Sequence, residues 1–503
     1  MKPLYSLPCP GVRRAVFVCA IALALGVLVT IPAIAQIMPR QLSQDSFTNE
    51  SSQHMTEVEP GAFSHGHIIV TGFQVARISG GGGADIGFAT FADSSAAGDW
   101  TNGYLPGLTI YQGGGTNTAA SDASVAYDAK HGEWLISTLP IGSTDLVAVS
   151  RSSDAIHWDN PIYVITSGDA DKNWLACDNT PTSPYYGNCY QEWDSPAQGD
   201  YLQMSTSSDG GVTWGPAKGT AGNDYGIGGQ ALTLPNGTVV VSYADFNGGM
   251  SAFTSTNGGQ SWNAAVSIAT APSHAEAGGL RSLSLPSAAI DGAGTIYVSW
   301  PDCRFRSGCA SNDIVYSTTT DGIHWSSVVR VPIDPVTSTV DHFIQGLAID
   351  TNTSGSTAHI GLTYYYYPVS NCSASTCSLL AGFIQSANGG ATWTYPLQLG
   401  TAMQLSWLPN TYSGRMVADY VATAYVDGKA FPIWAQAYPL TGSTYHEAIF
   451  TTFLGNTPAE GQLSSANDKP IPNAKSDHGP RQFYDQDNQV PVHPGKISSP
   501  DKH

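Results

Sequence analysis

The sequence has few charged residues, and positive charge is scarcer than negative charge. Only 12% of its 503 residues are charged, and 20 Lys and Arg stand against 39 Asp and Glu, which gives a formal net charge of −19. A phosphate backbone repels such a chain, so nucleic acid is not expected as a partner. Acidity of this kind keeps a protein soluble and is no evidence for catalysis.

Common catalytic signatures are also missing. The sequence has no G-x-S-x-G nucleophile elbow, no H-E-x-x-H zinc motif and no glycine loop for a phosphate. The stretch "ISGGGGADIG" after Arg77 therefore predicts a flexible turn. No cofactor and no metal centre are expected, with Ca²⁺ as the one minor possibility. It would bind at "SGDADKNW" around Asp169 and Asp171, which lacks the full EF-hand pattern.

A long apolar run lies near the N-terminus, from residue 15 to residue 35. Lys2, Arg13 and Arg14 precede it, and "AIA" ends it before Gln36. This pattern predicts a signal peptide over residues 1–35 and a secreted or periplasmic protein. The run is also long enough to span a bilayer, so an uncleaved anchor that holds the protein at a membrane, facing outside, is the alternative. Removal of the leader would make the net charge −22.

Two of the eight cysteines, Cys9 and Cys19, lie in this leader. The other six form pairs that are close in sequence: Cys177 and Cys189, Cys303 and Cys309, Cys372 and Cys377. In an exported chain such pairs predict three local disulfides. None has the two-residue spacing or flanking histidines of a zinc site.

Glycine and aromatic residues are abundant, and many of them belong to a repeated turn. "SSDGGVTWG" from Ser207 recurs as "STNGGQSWN" from Ser255 and "SANGGATWTY" from Ser386, with shorter copies "SSDAIHW" from Ser152 and "TTDGIHW" from Thr319. Alternating stretches such as "YLQMSTS" precede the copies and predict strands. Asp or Asn followed by Gly favours a hairpin tip, since the turn needs positive φ.

The copies are spaced 48 to 67 residues apart, which is typical of a propeller built from four-stranded blades. Six innermost strands are predicted, beginning near Asp122, Asn173, Gly229, Leu283, Phe343 and Met416. Six blades are therefore the first expectation. Residues 67–107 either complete the last blade or form one of their own, so seven blades are the alternative.

The pattern S-x-D-x-G-x-T-W resembles the Asp box, or bacterial neuraminidase repeat, and the chain is similar to the sialidase-like propeller superfamily over residues 60–455. The resemblance implies an all-β propeller of four-stranded antiparallel blades. Residues 36–59 and 456–503 are poor in large aliphatic side chains and are expected to be a disordered linker and tail. Fold alone does not set function, because such propellers serve as sialidases, other glycosidases and binding modules.

In such a blade the boxes lie at one end, so a site is expected at the other end, the top face, in a central funnel. The strand register and the "PDCRFRSGC" loop place these cationic groups there: Lys172, Arg281, Arg304, His342 and Arg415. Arginines suit a carboxylate ligand, since a guanidinium binds both of its oxygens. Asp302, Asp419 and Tyr420 are expected beside them. The alternative is that each cation pairs with a neighbouring acid such as Asp171, Asp341 or Asp419.

The resemblance also implies a chemistry: three arginines on a substrate carboxylate, a tyrosine nucleophile assisted by a glutamate, and an aspartic acid as proton donor. Arg281 with Glu276 and Arg415 with Tyr420 match parts of this set, while Asp302 and Asp85 compete for the acid. The family's Arg-Ile-Pro signature would fall at Arg77, where serine replaces the proline.

Three functions remain open at this point. The first is a monomer that binds glycans or other anionic ligands in the funnel without proven catalysis. The second is an exo-acting glycoside hydrolase of the exo-α-sialidase type, and the third is a protein-interaction scaffold.

Overall fold

The computed structural model describes residues 39–92, 99–455 and 462–477. Within these ranges the chain is built from strands, with five single 3₁₀ turns at Pro196–Gln198, Ala277–Gly279, Ser307–Cys309, Gly355–Thr357 and Leu405–Trp407. No helix in this part of the chain has the length and apolar character needed to cross a membrane. The predicted leader, residues 1–35, lies outside the described residues.

The strands are numbered along the chain. The first nine are β1 (Arg40–Gln41), β2 (Glu57–His65), β3 (Ile68–Arg77), β4 (Gly83–Ala92), β5 (Asp99–Tyr104), β6 (Ala119–Asp128), β7 (Glu133–Ile141), β8 (Ala148–Ser152) and β9 (Ile162–Tyr163). The next eight are β10 (Asp171–Cys177), β11 (Cys189–Ser195), β12 (Tyr201–Ser207), β13 (Lys218–Gly219), β14 (Gly226–Thr233), β15 (Val239–Asp245), β16 (Gly249–Ser255) and β17 (Val266–Thr270). The last thirteen are β18 (Ser287–Ile290), β19 (Ile296–Asp302), β20 (Asp313–Thr319), β21 (Val329–Arg330), β22 (Asp341–Ile349), β23 (Ile360–Tyr367), β24 (Ser378–Ser386), β25 (Leu397–Gln404), β26 (Asn410–Thr411), β27 (Gly414–Arg415), β28 (Ala422–Val426), β29 (Lys429–Thr441) and β30 (Thr444–Thr451).

These strands form antiparallel groups of four, which we call sheets 1 to 7. Sheets 1 to 6 take β2 to β25 in chain order, four strands each, and sheet 7 consists of β28, β29, β30 and β1. Sheets 1 and 2 are joined by a single pair, Gly83 with Ala120. Strands β26 and β27 make a separate hairpin. The predicted all-β class with four-stranded antiparallel sheets is confirmed.

The innermost strands of the sheets form a closed ring. Strands β2, β6, β10, β14, β18, β22 and β28 pack each on the next, and β28 packs on β2. The described residues thus contain seven four-stranded groups, where the first expectation was six. Residues 67–107 supply strands of their own group, because its innermost strand, β2, begins at Glu57 inside the segment that was expected to be a linker.

Both segments that were expected to be disordered contain ordered parts. Residues 40–41 form β1, which pairs Arg40 with Thr451, and Leu42 is only 1% exposed. Residues 462–477 also pack against the sheets: Leu463 pairs with Trp393. For residues 40–59 and 462–477 the expectation of disorder is therefore wrong. Backbone pairing, ion pairs and a few buried apolar side chains such as Leu42 anchor these segments.

The repeated turns connect the third and fourth strands of sheets 2 to 6. In the first of the longer copies, Asp209 Oδ1 accepts hydrogen bonds from the backbone N–H groups of Val212 and Thr213, at 3.1 and 2.9 Å. Ser207 Oγ donates to the same carboxylate at 2.8 Å. Side chains at the same position of the other four copies accept equivalent bonds: Asp154, Asn257, Asp321 and Asn388. The turn chemistry is therefore contained within each copy.

Candidate functional site

Five innermost strands carry a β-bulge, each near its beginning. The register shifts lie at Val58/Gly61, Ser121/Ser124, Asp171/Trp174, Ile227/Gln230 and Phe343/Gln345. At three of them a charged residue has positive φ: Glu59 at 57°, Asp122 at 48° and Lys172 at 46°. Such a backbone costs about 1–2 kcal/mol for a residue with a Cβ. Bulges re-aim side chains, and these three belong to the neighbouring sheets 1, 2 and 3.

The bulges bring Lys172 and Asp122 together with two residues that precede β28 of sheet 7. Lys172 Nζ lies 2.7 Å from Asp419 Oδ2 and 3.7 Å from Asp122 Oδ2. Tyr420 donates its hydroxyl to Asp122 Oδ1 at 3.4 Å. All four residues are buried, with Lys172 5% and Asp419 1% exposed. Residues from three sheets thus meet in one ionic cluster.

Arg281, which precedes β18 of sheet 5, completes the ion pairs. Its Nε lies 2.8 Å from Asp419 Oδ1 and its Nη2 lies 2.5 Å from Asp419 Oδ2. Nη1 donates to Ser413 Oγ at 3.2 Å. The Arg281 side chain keeps 12% of its surface exposed, more than Lys172 or Asp419. Arg281 is therefore the cation of this group that lies nearest to solvent.

Sheet 1 adds Glu59 and Arg77. Gln74 Nε2 donates to Glu59 Oε2 and also to Ser121 Oγ, the latter at 2.9 Å. Arg77 is 3% exposed, and its Nη1 donates to the carbonyls of Ile78 and Gly82. We call the whole group the inner cluster: Glu59, Arg77, Asp122, Lys172, Arg281, Asp419 and Tyr420.

Burial and neighbouring charge set the protonation of this cluster. Burial alone would raise the pKa of Asp419, but Arg281 and Lys172 outweigh it and hold that pKa well below its usual value. Burial would lower the pKa of Lys172, but Asp122 and Asp419 raise it well above its usual value. Burial raises the pKa of Glu59 strongly, and Asp419 adds to the effect. Neighbouring charge therefore favours the charged forms of Asp419 and Lys172, whereas burial favours the uncharged form of Glu59.

Aromatic side chains adjoin the inner cluster. Trp174 is partly exposed and meets the ring of Tyr420 edge-on, with 5.6 Å between ring centroids. Tyr412, in the hairpin of β26 and β27, is 63% exposed and stands next to Ser413, the partner of Arg281. A Cβ added at Gly80 would lie 3.8 Å from the Tyr412 ring, so this ring faces the loop that follows Arg77.

No protein-family model matches the chain, and no curated protein matches it either. Solved structures do. The chain is similar in structure to sialidases. A Hadza microbial sialidase is 14% identical, with 80% of this chain and 66% of that chain covered and a TM-score of 0.41. A sialidase from Streptococcus pneumoniae is 13% identical, with 83% and 70% covered and a TM-score of 0.42. This chain thus spans slightly less than two thirds of the Hadza protein.

For two further similar structures, the match with this chain covers almost their whole length. The intramolecular trans-sialidase from Ruminococcus gnavus is 12% identical, with 84% of this chain and 99% of that chain covered and a TM-score of 0.41. A protein of unknown function from Dyadobacter fermentans is 15% identical, with 70% and 99% covered and a TM-score of 0.44.

Four of the residues predicted from the strand register and its neighbouring sequence lie together in the inner cluster: Lys172, Arg281, Asp419 and Tyr420. Glu59 is not predicted as a site residue, because it falls in the segment that is expected to be a linker. Asp122 is predicted only as the start of an innermost strand. Arg77 belongs to the cluster although the proline of the family signature is absent. The signal for Glu59 and Asp122 would have been a bulge in the strand, which the sequence alone does not reveal.

Arg304 and Asp302 form a pair of their own instead of joining the inner cluster. Arg304 Nε lies 2.9 Å from Asp302 Oδ1 and its Nη2 lies 2.6 Å from Oδ2. Trp300 Nε1 donates to the same carboxylate at 2.9 Å. The Cys303–Cys309 loop folds the arginine back on an acid two residues away. This outcome is the local ion pair that the sequence left open as an alternative.

Arg415 and His342 also make other contacts than those expected. Arg415 donates from Nη1 to the carbonyl of Leu408 at 2.8 Å, while its own carbonyl accepts the backbone N–H of Arg281 at 2.7 Å. Arg415 thus supports the backbone of Arg281. His342 Nδ1 lies 3.1 Å from the carbonyl of Asn312, and burial lowers the His342 pKa.

Glu276 and Tyr420, the candidate pair for nucleophilic chemistry, lie in different clusters. Glu276 Oε1 accepts a bond from Asn312 Nδ2 at 3.2 Å, and burial raises the Glu276 pKa to about 8. Its neighbours include Asp341 and Asp477, and Asp477 Oδ2 lies 2.8 Å from His274 Nδ1. The hydroxyl of Tyr420 instead donates a hydrogen bond to Asp122, because sheets 2 and 7 place those two residues side by side.

Asp313, Asp334 and His342 bring metal-ligand atoms within 4.8 Å of one another. Arg306 Nη2 lies 2.5 Å from both carboxylates, and Arg330 Nε lies 2.8 Å from Asp313 Oδ1. These two guanidinium groups already neutralise the acids, and they repel a metal ion. The group therefore fits a structural ion-pair network.

The three predicted disulfides are confirmed: Cys177–Cys189, Cys303–Cys309 and Cys372–Cys377. The last of them supports the turn that follows Glu276. A Cβ added at Gly278 would lie 2.6 Å from the sulfur of Cys377, so the turn packs directly on the disulfide.

Proposed function

We propose that this protein binds carbohydrate at the inner cluster, at the end of the ring where the innermost strands begin. The observation that carries the proposal is convergence: five sheets, or the segments that lead into them, send charged side chains to one buried place. Burying charges costs several kcal/mol per ion, even when they are paired. A convergent group of charged side chains with shifted pKa values is a candidate functional site.

The chemistry of the inner cluster suits sugar hydroxyls. A hydroxyl both donates and accepts hydrogen bonds. The cluster presents the guanidinium of Arg281, whose side chain keeps 12% of its surface exposed, with the buried Asp419 carboxylate and Lys172 ammonium behind it. Sugars also present apolar faces, which pack on aromatic rings. Tyr412 and Trp174 supply such rings beside Arg281 and Tyr420.

Glycoside hydrolysis is the second candidate, and one observation favours it. In the inner cluster the pKa of Asp419 is lowered and the pKa of Glu59 is raised, and such opposite shifts are typical of an acid and a base that work together. Glu59 is fully buried, so this role requires that a substrate reach it. An interaction scaffold is the third candidate.

We further propose that the chain is exported and acts as a monomer. Three disulfides favour an oxidising compartment, and the apolar N-terminal run after Arg14 is typical of a leader.

A screen of the purified protein against immobilised neutral and acidic glycans, with sugar release measured in parallel, tests the proposal. Tyr412→Ala removes an exposed ring beside the cluster and should weaken glycan binding about tenfold, which corresponds to about 1.4 kcal/mol. Tyr395→Ala is the matched control. Tyr395 is 51% exposed and follows the repeated turn at Asn388, so binding should not change. Absence of any bound or cleaved glycan, or equal losses in both variants, contradicts the proposal.

A further inference from the structure

The guanidinium of Arg281 is already bound to a carboxylate of the protein itself. Nε and Nη2 donate to the two carboxylate oxygens of Asp419, at 2.8 and 2.5 Å, and Nη1 donates to Ser413 Oγ. This two-point arrangement is the one in which an arginine binds the carboxylate of an acidic ligand. An acidic sugar would therefore have to displace Asp419 before it could use Arg281.

The other two cations of the inner cluster are committed as well. Lys172 Nζ serves Asp419 at 2.7 Å and Asp122 at 3.7 Å. Arg77 donates to the carbonyls of Ile78 and Gly82, and its Nε lies 3.0 Å from Met416 Sδ.

The charges leave no positive excess. Three cations, Arg77, Lys172 and Arg281, face Asp122, Asp419 and the adjacent Asp171, which raises the Lys172 pKa together with them. Glu59 is a further acid beside these cations: burial raises its pKa and so favours its uncharged form, and its ionisation would add one more negative charge. The whole chain is acidic, with a net charge of −19. An anionic ligand gains no long-range attraction from such a molecule.

We propose that the ligand of the inner cluster is an uncharged carbohydrate and that Asp419 excludes acidic sugars by occupying the Arg281 guanidinium. The inference rests on the proposed function, and it narrows that function to a substrate class. It departs from the anionic ligand that the arginines alone suggested. If an acidic ligand displaced Asp419 from Arg281, this buried carboxylate would keep Lys172 as its remaining ion-pair partner. The free-energy cost of breaking the buried ion pair applies to acidic ligands and not to neutral ones. Hydroxyl groups can bond to the paired ions without breaking them.

The experiment compares pairs of oligosaccharides that differ only by a terminal sialic or uronic acid, titrated against the whole protein by calorimetry. Wild type should bind the neutral member at least about tenfold more tightly than the acidic member. Asp419→Asn keeps the shape, removes the negative charge and releases the guanidinium, so this preference should fall about tenfold or reverse. Asp302→Asn is the matched control, because Asp302 is an equally buried two-point partner of Arg304 outside the cluster, and the preference should not change.

A second measurement needs no variant and covers the case in which Asp419→Asn does not fold. Affinity of the wild type for the neutral glycan should change little between low and high salt, since no net charge is bound, whereas an ionic ligand weakens with salt. Tighter binding of acidic members, or a preference that Asp419→Asn leaves unchanged, overturns the inference and leaves carbohydrate binding intact. If neither member of any pair binds, the proposed function fails and the inference fails with it.

Discussion

Arg281 and Asp419 form a two-point salt bridge, with Nε 2.8 Å from Oδ1 and Nη2 2.5 Å from Oδ2. The two residues are 138 positions apart in the chain, ahead of the innermost strands of sheets 5 and 7. Lys172 of sheet 3 meets the same carboxylate. A single aspartate thus links three sheets of the ring, so the same atoms that carry the proposed ligand choice also contribute to stability.

Replacing Lys172 by methionine should destabilise the protein by about 3 kcal/mol, because it removes one partner from a buried ionic group. Asp122 would lose its cation and keep two long hydrogen bonds, from the hydroxyls of Ser121 and Tyr420 at 3.3 and 3.4 Å. Unfolding in urea, followed by tryptophan fluorescence, gives the free energy. Lys429→Met is the control at an exposed lysine and should change the stability by less than about 0.5 kcal/mol. Equal losses in the two variants would show that the cluster is not a stabilising network.

Asp209→Ala should lower the free energy of unfolding by about 1–2 kcal/mol, since two backbone N–H groups and two hydroxyls lose their acceptor. Asp209→Asn should be much milder, because Asn257 and Asn388 accept the same bonds in other copies of the turn. Thermal unfolding compares the two variants. Glycan affinity should be unchanged in both, and a loss of affinity in Asp209→Ala at retained fold would place function at the turns.

Gly278→Ala and Gly279→Ala separate steric from backbone effects beside Glu276. Both glycines have positive φ, 79° and 75°, so either alanine costs about 1–2 kcal/mol of backbone strain. Only at Gly278 does the new Cβ meet atoms closely, at 2.6 Å from Cys377 Sγ, whereas nothing lies within 4 Å at Gly279. In urea unfolding, the free energy of unfolding should therefore be clearly lower for Gly278→Ala than for Gly279→Ala. Equal losses would mean that the turn does not pack tightly on the disulfide.

Stability should fall as the pH rises from about 5 to about 8, because burial raises the pKa of Glu57 to about 8. The protonated form is favoured in the folded state, so its contribution is complete below the ordinary glutamate pKa and is lost as the pH passes through about 8. For Glu57 alone the loss is on the order of 3 kcal/mol. Urea unfolding at several pH values should show a shallower slope in Glu57→Gln. An unchanged slope would mean that Glu57 is ionised in the folded protein.

Much of the architecture could be predicted from particular residues. The repeated Asp or Asn with glycine, from Asp154 to Asn388, predicts the hairpins, and their spacing predicts four-stranded groups, because turn chemistry is local. The cysteine pairs were predicted for the same reason, since each closes a short loop. The sequence was less informative at the chain ends, where β1 pairs with β30 across some 400 residues and Pro60 within β2 obscures a strand.

The same difference between local and long-range contacts applies to the candidate site. The residue pattern alone predicts that Lys172 and Arg281 precede or begin innermost strands, and that Asp419 and Tyr420 come just before another. Which charges meet depends on the packing of the sheets: Arg304 turns back to Asp302, Arg415 holds the backbone of Arg281, and Glu59 and Asp122 enter through bulges. Hydrogen-bonded turns form among residues that are close in the chain, whereas ion pairs between sheets exist only once the ring has closed and excluded water from the charges.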